Sequence, residues 1–199
     1  MQDMARIKSA FELAMERIED IEIDPQQIRK DRLTQTGKRI AGTYLISIDK
    51  SIEDVQEDVA TLPEEDRDLV RDVMIDTALN NITLPQNDRY VQHIGKVKSL
   101  LTLLAGKDDG LLEVFVQIDN LYNQYLEMRQ QTYDQLVGQF TPRLQQKQQL
   151  LQQQTGQTVD IEPELDKEFM EMLNQTYSRL DQQVLQVLGQ IKDALRELI

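Results

Sequence analysis

The stretch QQKQQLLQQQTGQTVDIEP, residues 145–163, joins two long segments that have helical periodicity. Glutamine is a fair helix former, so the glutamine run does not by itself indicate a disordered linker. Leu144, Leu150 and Leu151 alternate with the glutamines at helical intervals. Residues 143–154 are therefore predicted to continue the helix that precedes them.

The two segments on either side have the same apolar spacing and are predicted to pair. Gly156 ends the first helix and Pro163 suits the first turn of the second. The seam positions, three and four residues apart, are Phe115, Ile118, Tyr122, Tyr125, Arg129, Thr132, Leu136 and Phe140 before the turn, and Leu173, Tyr177, Leu180, Val184, Val187, Ile191, Ala194 and Leu198 after it. The pattern predicts an antiparallel, coiled-coil-like hairpin over residues 109–199, with its tip near 155–162.

Two details of the hairpin follow from this assignment. Pro142 lacks an N–H and clashes with the preceding turn, so the outgoing helix is expected to kink or restart there, with Thr141 as its cap. The polar residues 174–176 of the second arm are expected to lie opposite Pro142. A turn at the centre of the tip would place Ile199 opposite about Gln117.

Residues 1–108 are predicted to form a helical base. An amphipathic helix is expected over 3–22, because apolar side chains recur at Ile7, Phe11, Ala14, Ile18 and Ile21. Further helices are expected at about 25–47, 63–81 and 86–105, each with a proline at or near its first turn except the last, where Pro85 immediately precedes it.

AGTYLISID, residues 41–49, is the one strand-like run in the sequence, since it carries several β-branched residues. A single strand has no partner with which to form a sheet, so this run is assigned to the end of the second helix. The predicted fold class is therefore all-α, with a short-helix N-terminal region and a long helical hairpin.

Composition excludes several functions. The chain has 199 residues, no cysteine, one histidine and a net charge of −13, from 35 acidic and 22 basic residues. Disulfides, thiolate catalysis and cysteine-ligated zinc are excluded, and the acidic balance opposes binding to nucleic acids or anionic membranes. The first twenty residues lack the apolar core of a secretory signal, and LLTLLA at 100–105 is far too short to cross a bilayer. We expect a cytoplasmic protein.

One basic cluster lies in this acidic chain, at Arg29, Lys30, Arg32, Lys38 and Arg39. It could bind a phosphate or an acidic partner, but Gly37-Lys38 lacks the upstream glycine and following Ser or Thr of a phosphate loop. Alternatively, residues 49–72 neutralise it, since they contain ten acidic side chains and three basic ones. We favour neutralisation within the chain.

No residue pattern indicates catalysis. His93 has no carboxylate or nucleophile that the sequence places beside it, and the Glu-x-x-His pairs of helical di-iron sites are absent. We predict no catalytic residue, no cofactor and no metal ligand, and hence no enzyme.

IKSAFELAMERIEDIEID at residues 7–24 and EFMEMLNQ at 168–175 resemble an uncharacterised bacterial family of acidic, roughly 200-residue helical proteins. The resemblance covers most of the chain. It implies a helical protein without an assigned activity.

The leading hypothesis is a non-enzymatic interaction protein, a scaffold or assembly factor that uses a protruding hairpin to contact an unidentified protein partner. The alternative is a self-assembling structural homo-oligomer in which two hairpins pack as four helices. A carboxylate–metal enzyme is a third hypothesis, from the abundance of Asp and Glu. The candidate partner contacts are Phe11, Ile18, Arg29, Lys30, Arg32, Gln153 and Gln157.

Overall fold

The computed structural model describes residues 24–85, 89–106, 109–156 and 160–199, and within these ranges every regular element is a helix. The elements are α1 (Pro25–Ile46), α2 (Ile52–Ala60), α3 (Glu64–Asn80), α4 (Arg89–Ala105), α5 (Asp109–Thr155), a 3₁₀ helix (Pro163–Leu165) and α6 (Lys167–Leu198). The predicted all-α class with a long helical hairpin is confirmed. The predicted helix over 3–22 lies outside the described residues.

Helix α1 begins as the local sequence predicts and runs into the strand-like segment. The Asp24 side chain accepts a hydrogen bond from the Gln26 N–H at 2.9 Å, and Pro25 occupies the first turn. At the other end the helix continues to Ile46, with Tyr44 and Leu45 buried. The β-branched run is thus helical where it contacts the core, because tertiary packing overrides its strand propensity.

The sequence interpretation missed helix α2, which lies in the acidic segment. The Ser51 hydroxyl accepts from the Asp54 N–H at 3.2 Å, and the Asp54 carboxylate accepts from the Ser51 N–H at 2.7 Å. This reciprocal capping box is a recognisable helix start. The helix has only nine residues and buries only Val55 completely, so its apolar periodicity is too short to stand out.

Helices α1 and α3 approach each other closely at Gly37. A Cβ atom on Gly37 would lie 2.9 Å from the Cβ of Val73 and 3.0 Å from the carbonyl oxygen of Val70. Any side chain here would overlap α3, so glycine allows the two backbones to pack together. The adjacent buried residues Ile40 and Ala41 then reach the core between the helices.

Basic side chains from neighbouring elements cap the C-terminal ends of several helices. Lys96 of α4 donates to the carbonyl of Tyr44 at 3.0 Å and to that of Ser47, at the end of α1. Arg67 donates to the carbonyls of Ala60 and Leu62 at 2.9 and 3.0 Å, at the end of α2. Neither α1 nor α2 has a basic residue in its own last turn, so these unsatisfied carbonyls receive their donors from elsewhere in the fold.

Arg71 of α3 connects the base to the root of the hairpin. Its guanidinium donates to the Leu104 carbonyl at 2.8 Å and to the main-chain oxygen of Ile199 at 3.2 Å. Arg196 forms an ion pair with Asp76 nearby. A single buried cluster accordingly includes residues of α1–α4 together with the first turns of α5 and the last turns of α6.

The pairing of the two arms differs from the predicted register. The Tyr177 hydroxyl donates to the Arg129 carbonyl at 3.2 Å, so these two residues are level. Because both helices rise equally per residue, Ile199 falls level with the start of α5, and its predicted position opposite Gln117 is wrong. The segment that begins at Asp160 already packs beside α5, through the hydrogen bond from Gln148 to Asp160, before α6 begins.

The predicted restart at Pro142 is also wrong, since α5 is continuous from Asp109 to Thr155. The Thr141 hydroxyl donates to the Val137 carbonyl at 2.7 Å within the helix and does not cap a new one. Arg143 pairs with Glu168 at 2.9 Å, so residues 168–169, and not 174–176, lie beside Pro142. Phe140, two residues before the proline, is buried in the core between the two arms. A kink stays a prediction.

Replacing Gly37 by alanine should destabilise the base. The new methyl group would overlap Val73, and overpacking of this kind costs about 1–3 kcal/mol in the free energy of unfolding. Chemical denaturation followed by circular dichroism measures the change.

Gly42→Ala is the matched control, because Gly42 lies in the same helix and a Cβ there would have no atom within 4 Å. This variant should be neutral or more stable by up to about 1 kcal/mol, through helix propensity. Equal effects of the two substitutions would contradict the close approach at Gly37.

Candidate interaction surfaces

The distal half of the hairpin, residues 126–179, has a small core of its own. Five buried residues form it: Leu136, Phe140, Leu144, Phe169 and Leu173. The rings of Phe140 and Phe169 meet edge to face with centroids 5.5 Å apart. All the residues packed against this core belong to α5, α6 or the segment between them. From Leu126 to the end of α5 this arm extends for about 45 Å.

A polar layer separates this distal core from the core of the base. Arg129 donates to the Tyr125 hydroxyl at 2.9 Å, and that hydroxyl donates to Asp181 on the other arm at 2.7 Å. The guanidinium also lies over the Tyr177 ring, 4.1 Å from its centroid. Burial and the bond to Asp181 raise the pKa of Tyr125. These paired groups fix how the two arms are aligned.

Charged pairs hold the tip, which comprises residues 147–156 and 160–166. Lys147 of α5 binds the buried Asp166 carboxylate, whose other oxygen accepts from the Phe169 N–H at 3.1 Å and caps α6. Both interactions favour the ionised carboxylate, and they hold the pKa of Asp166 below its usual range. Gln148 adds a bond to Asp160 at 2.8 Å. The return segment is thereby fastened to the outgoing arm.

Three leucines at the tip are exposed despite these constraints. Leu150, Leu151 and Leu165 have 57%, 36% and 75% of their surface accessible. Leu165 also lines a cleft of about 480 Å³ between the 3₁₀ helix and the start of α6, together with the half-buried Ile161. Sequence reasoning used the first two leucines only as helix markers, because exposure depends on how far α6 reaches along α5.

The basic cluster is neutralised in part by the acidic segment. Arg29 contacts Glu65 at 2.5 Å and Asp66 at 2.7 Å, and these two carboxylates, Asp66 above all, raise the pKa of Arg29. The prediction of neutralisation by residues 49–72 is therefore confirmed for Arg29. Lys30 and Arg32 are exposed on α1.

The predicted partner contacts do not form one surface. Arg29, Lys30 and Arg32 lie on the first two turns of α1 in the base, whereas Gln153 is exposed at the end of α5. Phe11, Ile18 and Gln157 lie outside the described residues.

An uncharged groove of about 490 Å³ runs between the two arms near the root. Helix α5 lines it with Val114, Gln117, Asn120, Leu121 and Gln124, and α6 lines it with Val187, Gln190, Ile191 and Ala194. Charged residues make up 29% of the chain, yet this lining contains none. Sequence reasoning placed Val187, Ile191 and Ala194 in the seam between the arms. The structure places them at its edge, where Val187 is 41% exposed.

The structure also locates His93 and the carboxylates. His93 is half-buried in α4, with its ring centroid 5.7 Å from that of Tyr90. Among the residues described, no group of three or more His, Asp or Glu side chains is arranged to hold a metal ion. In the same part of the chain, no helix has the length and apolar character needed to cross a bilayer.

Replacing Asp166 by alanine should lower the melting temperature at pH 7, since it removes a helix cap and the ion pair with Lys147. Because folding lowers this pKa, the stabilisation is present above the ordinary aspartate pKa of about 3.9 and is lost as the pH falls through the folded value. The difference in melting temperature between the variant and the unmodified protein should therefore become smaller in acid. Scanning calorimetry from pH 7 to pH 3 measures it.

Asp193→Ala, at an exposed position of the same helix, is the control and should change the melting temperature little at any pH. A deficit for Asp166→Ala that stays constant with pH would contradict the role of its carboxylate.

Comparison with protein-family models places most of this architecture in one family. The model described as "Family of unknown function (DUF6657)" matches residues 56–197, from within α2 to the last turn of α6. Neither the comparison with curated proteins nor that with solved structures gave a match. The match spans nearly the whole hairpin and much of the base. The expected likeness to an uncharacterised family is thus confirmed, and the chain belongs to the DUF6657 family of unknown function.

Proposed function

We propose that this protein is a non-enzymatic scaffold or assembly factor that presents the tip of its hairpin to a protein partner. The observation that carries the proposal is the set of exposed leucines, Leu150, Leu151 and Leu165, at the end of an arm with its own core. The base then serves to hold the root of the arm. A cytoplasmic location is part of the same proposal.

The leucines offer binding energy that the folded chain does not use. Complete burial of a leucine side chain contributes about 1.5–3 kcal/mol relative to exposure, so three half-exposed leucines are sufficient to anchor a contact. Exposed apolar side chains grouped at one place are typical of interaction sites. A partner with a small apolar pocket matches this surface.

The tip is held in position before a partner arrives. Lys147 binds Asp166, and Gln148 binds Asp160, so the segment that carries Leu165 is attached to α5 at two points. A surface ordered in advance loses less conformational entropy on binding. This rigidity favours a docking role for the tip.

The acidic charge of the tip favours a partner with a second property. Residues 160–168 contain five acidic side chains and one lysine, and the whole chain has a net charge of −13. Lys147 and Arg143 offset only part of this local charge. We therefore propose a partner whose apolar pocket has a basic rim, since complementary charge speeds association and selects among partners.

The double variant Leu150→Gln, Leu165→Gln should reduce partner capture at least about tenfold, because it removes apolar contacts at both sides of the tip. The measurement is a crosslinking pull-down from the source organism, with the captured proteins quantified by mass spectrometry. Circular dichroism should show unchanged helix content, since both side chains are exposed.

Val116→Gln, Leu185→Gln provides the matched control, because these residues are 55% and 48% exposed on the arms near the root. Capture should be unaffected. If both double variants capture the partner as well as the unmodified protein, the tip is not the contact; if no protein is enriched by the unmodified chain, the adaptor role fails.

A further inference from the structure

The uncharged groove is the end, near the root of the hairpin, of a longer surface formed by uncharged side chains. On α5 the same face continues towards the tip in steps of three and four residues, through Met128, Gln131, Gln135, Gly138 and Pro142, all of them exposed. On α6 it continues from Val187 through Gln183, Leu180 and Thr176. We call this surface, from Val114 to Pro142 on α5 and from Ala194 to Thr176 on α6, the uncharged strip.

We propose that the uncharged strip is the contact surface for a second copy of this chain, so that two hairpins pack face to face as four helices. This surface is separate from the tip, and the inference does not depend on the function proposed there.

The amide side chains favour a second copy over a different partner. In a two-fold symmetric contact the same surface faces itself, so a charged residue near the axis would meet its own like charge. Gln117, Gln124 and Gln190 each carry a hydrogen-bond donor and an acceptor, and therefore can pair with themselves. Val114, Leu121 and Ile191 supply apolar area between these amides.

The net charge strengthens the same conclusion. Each copy has a net charge of −13, so two copies repel each other over most of their surfaces. The side chains of the strip are uncharged, and the charged residues nearest to it, Glu127, which accepts from Gln131 at 3.2 Å, and the exposed Arg179, lie at its edge. Contact between two strips therefore brings fewer like charges together than contact between charged faces would.

The size of the strip matches what a stable dimer requires. The strip is about 42 Å long on α5 and about 27 Å long on α6, and each helix is about 10 Å wide. The resulting face is about 700 Å², within the range of about 600–1,000 Å² that each partner of a standard interface buries.

Gly138 supplies a separate argument. It lies in the interior of α5, where glycine is unfavourable relative to alanine, and a Cβ there would meet no atom within 4 Å. Packing within a single copy therefore does not require a glycine at this position. On the strip, it lets the backbone of a second helix approach closely.

The test is the mass of the full chain in solution, measured by light scattering over a range of concentrations. The unmodified protein should have twice the chain mass of 23.2 kDa. The double variant Gln117→Glu, Gln124→Glu places four like charges in the contact and should weaken dimerisation at least about tenfold. Its helix content should not change, because both side chains are exposed.

The control is Asn123→Asp, Gln182→Glu, which adds the same charge at exposed positions outside the strip and should leave the dimer intact. A monomer at every concentration would overturn the proposal and leave another protein or residues 1–23 as the occupant. A dimer that resists the strip variant, or that responds equally to the control, would also overturn it. The leucine variants at the tip should leave the mass unchanged, so this test and that of the tip can fail separately.

Discussion

The guanidinium of Arg71 joins two helix ends that are almost a hundred residues apart in the chain. It donates to the Leu104 carbonyl at the end of α4 and to the Ile199 oxygen after α6. The last carbonyls of a helix lack intrahelical donors, and a buried carbonyl without a donor costs about 1–3 kcal/mol. Lys96 and Arg67 provide donors in the same way for α1 and α2. These contacts hold the ends of α1, α2 and α4 against neighbouring helices of the base, and they set the root of the hairpin against the base.

The alignment of the two arms determines where the tip lies relative to this root. The layer of Arg129, Tyr125 and Asp181 lies between two apolar cores, and sliding one arm along the other would separate these partly buried polar groups from their partners. These contacts favour the alignment in which the distal core forms. Consequently the exposed leucines of the tip and the uncharged strip occupy fixed positions relative to the base.

The distribution of charge distinguishes the two surfaces of the arm. Acidic side chains lie on both sides of Leu165 at the tip, whereas the side chains that form the strip are uncharged. The first combination suits a partner of opposite charge, and the second suits an identical surface. One hairpin thus has two chemically different faces, and neither requires a catalytic group.

The sequence by itself determined the helical character of the chain, the two arms and the turn at Gly156. These features depend on local signals: apolar spacing, glutamine propensity, and the proline and glycine that start and stop helices. The acidic segment was correctly expected to neutralise Arg29, since so many carboxylates lie within it. Even α2 carried a local signal, the Ser51–Asp54 capping box, although its apolar pattern was too short to reveal it.

Only the tertiary structure decided the register of the arms, the continuity of α5 through Pro142 and the close approach at Gly37. Each depends on which residue of a distant segment lies opposite, and local periodicity does not encode that choice. The same reason explains why Leu150 and Leu165 were not recognised as surface residues, and why the uncharged strip was not foreseen. A side chain's helical position follows from the sequence, but its exposure depends on what the rest of the chain packs against it.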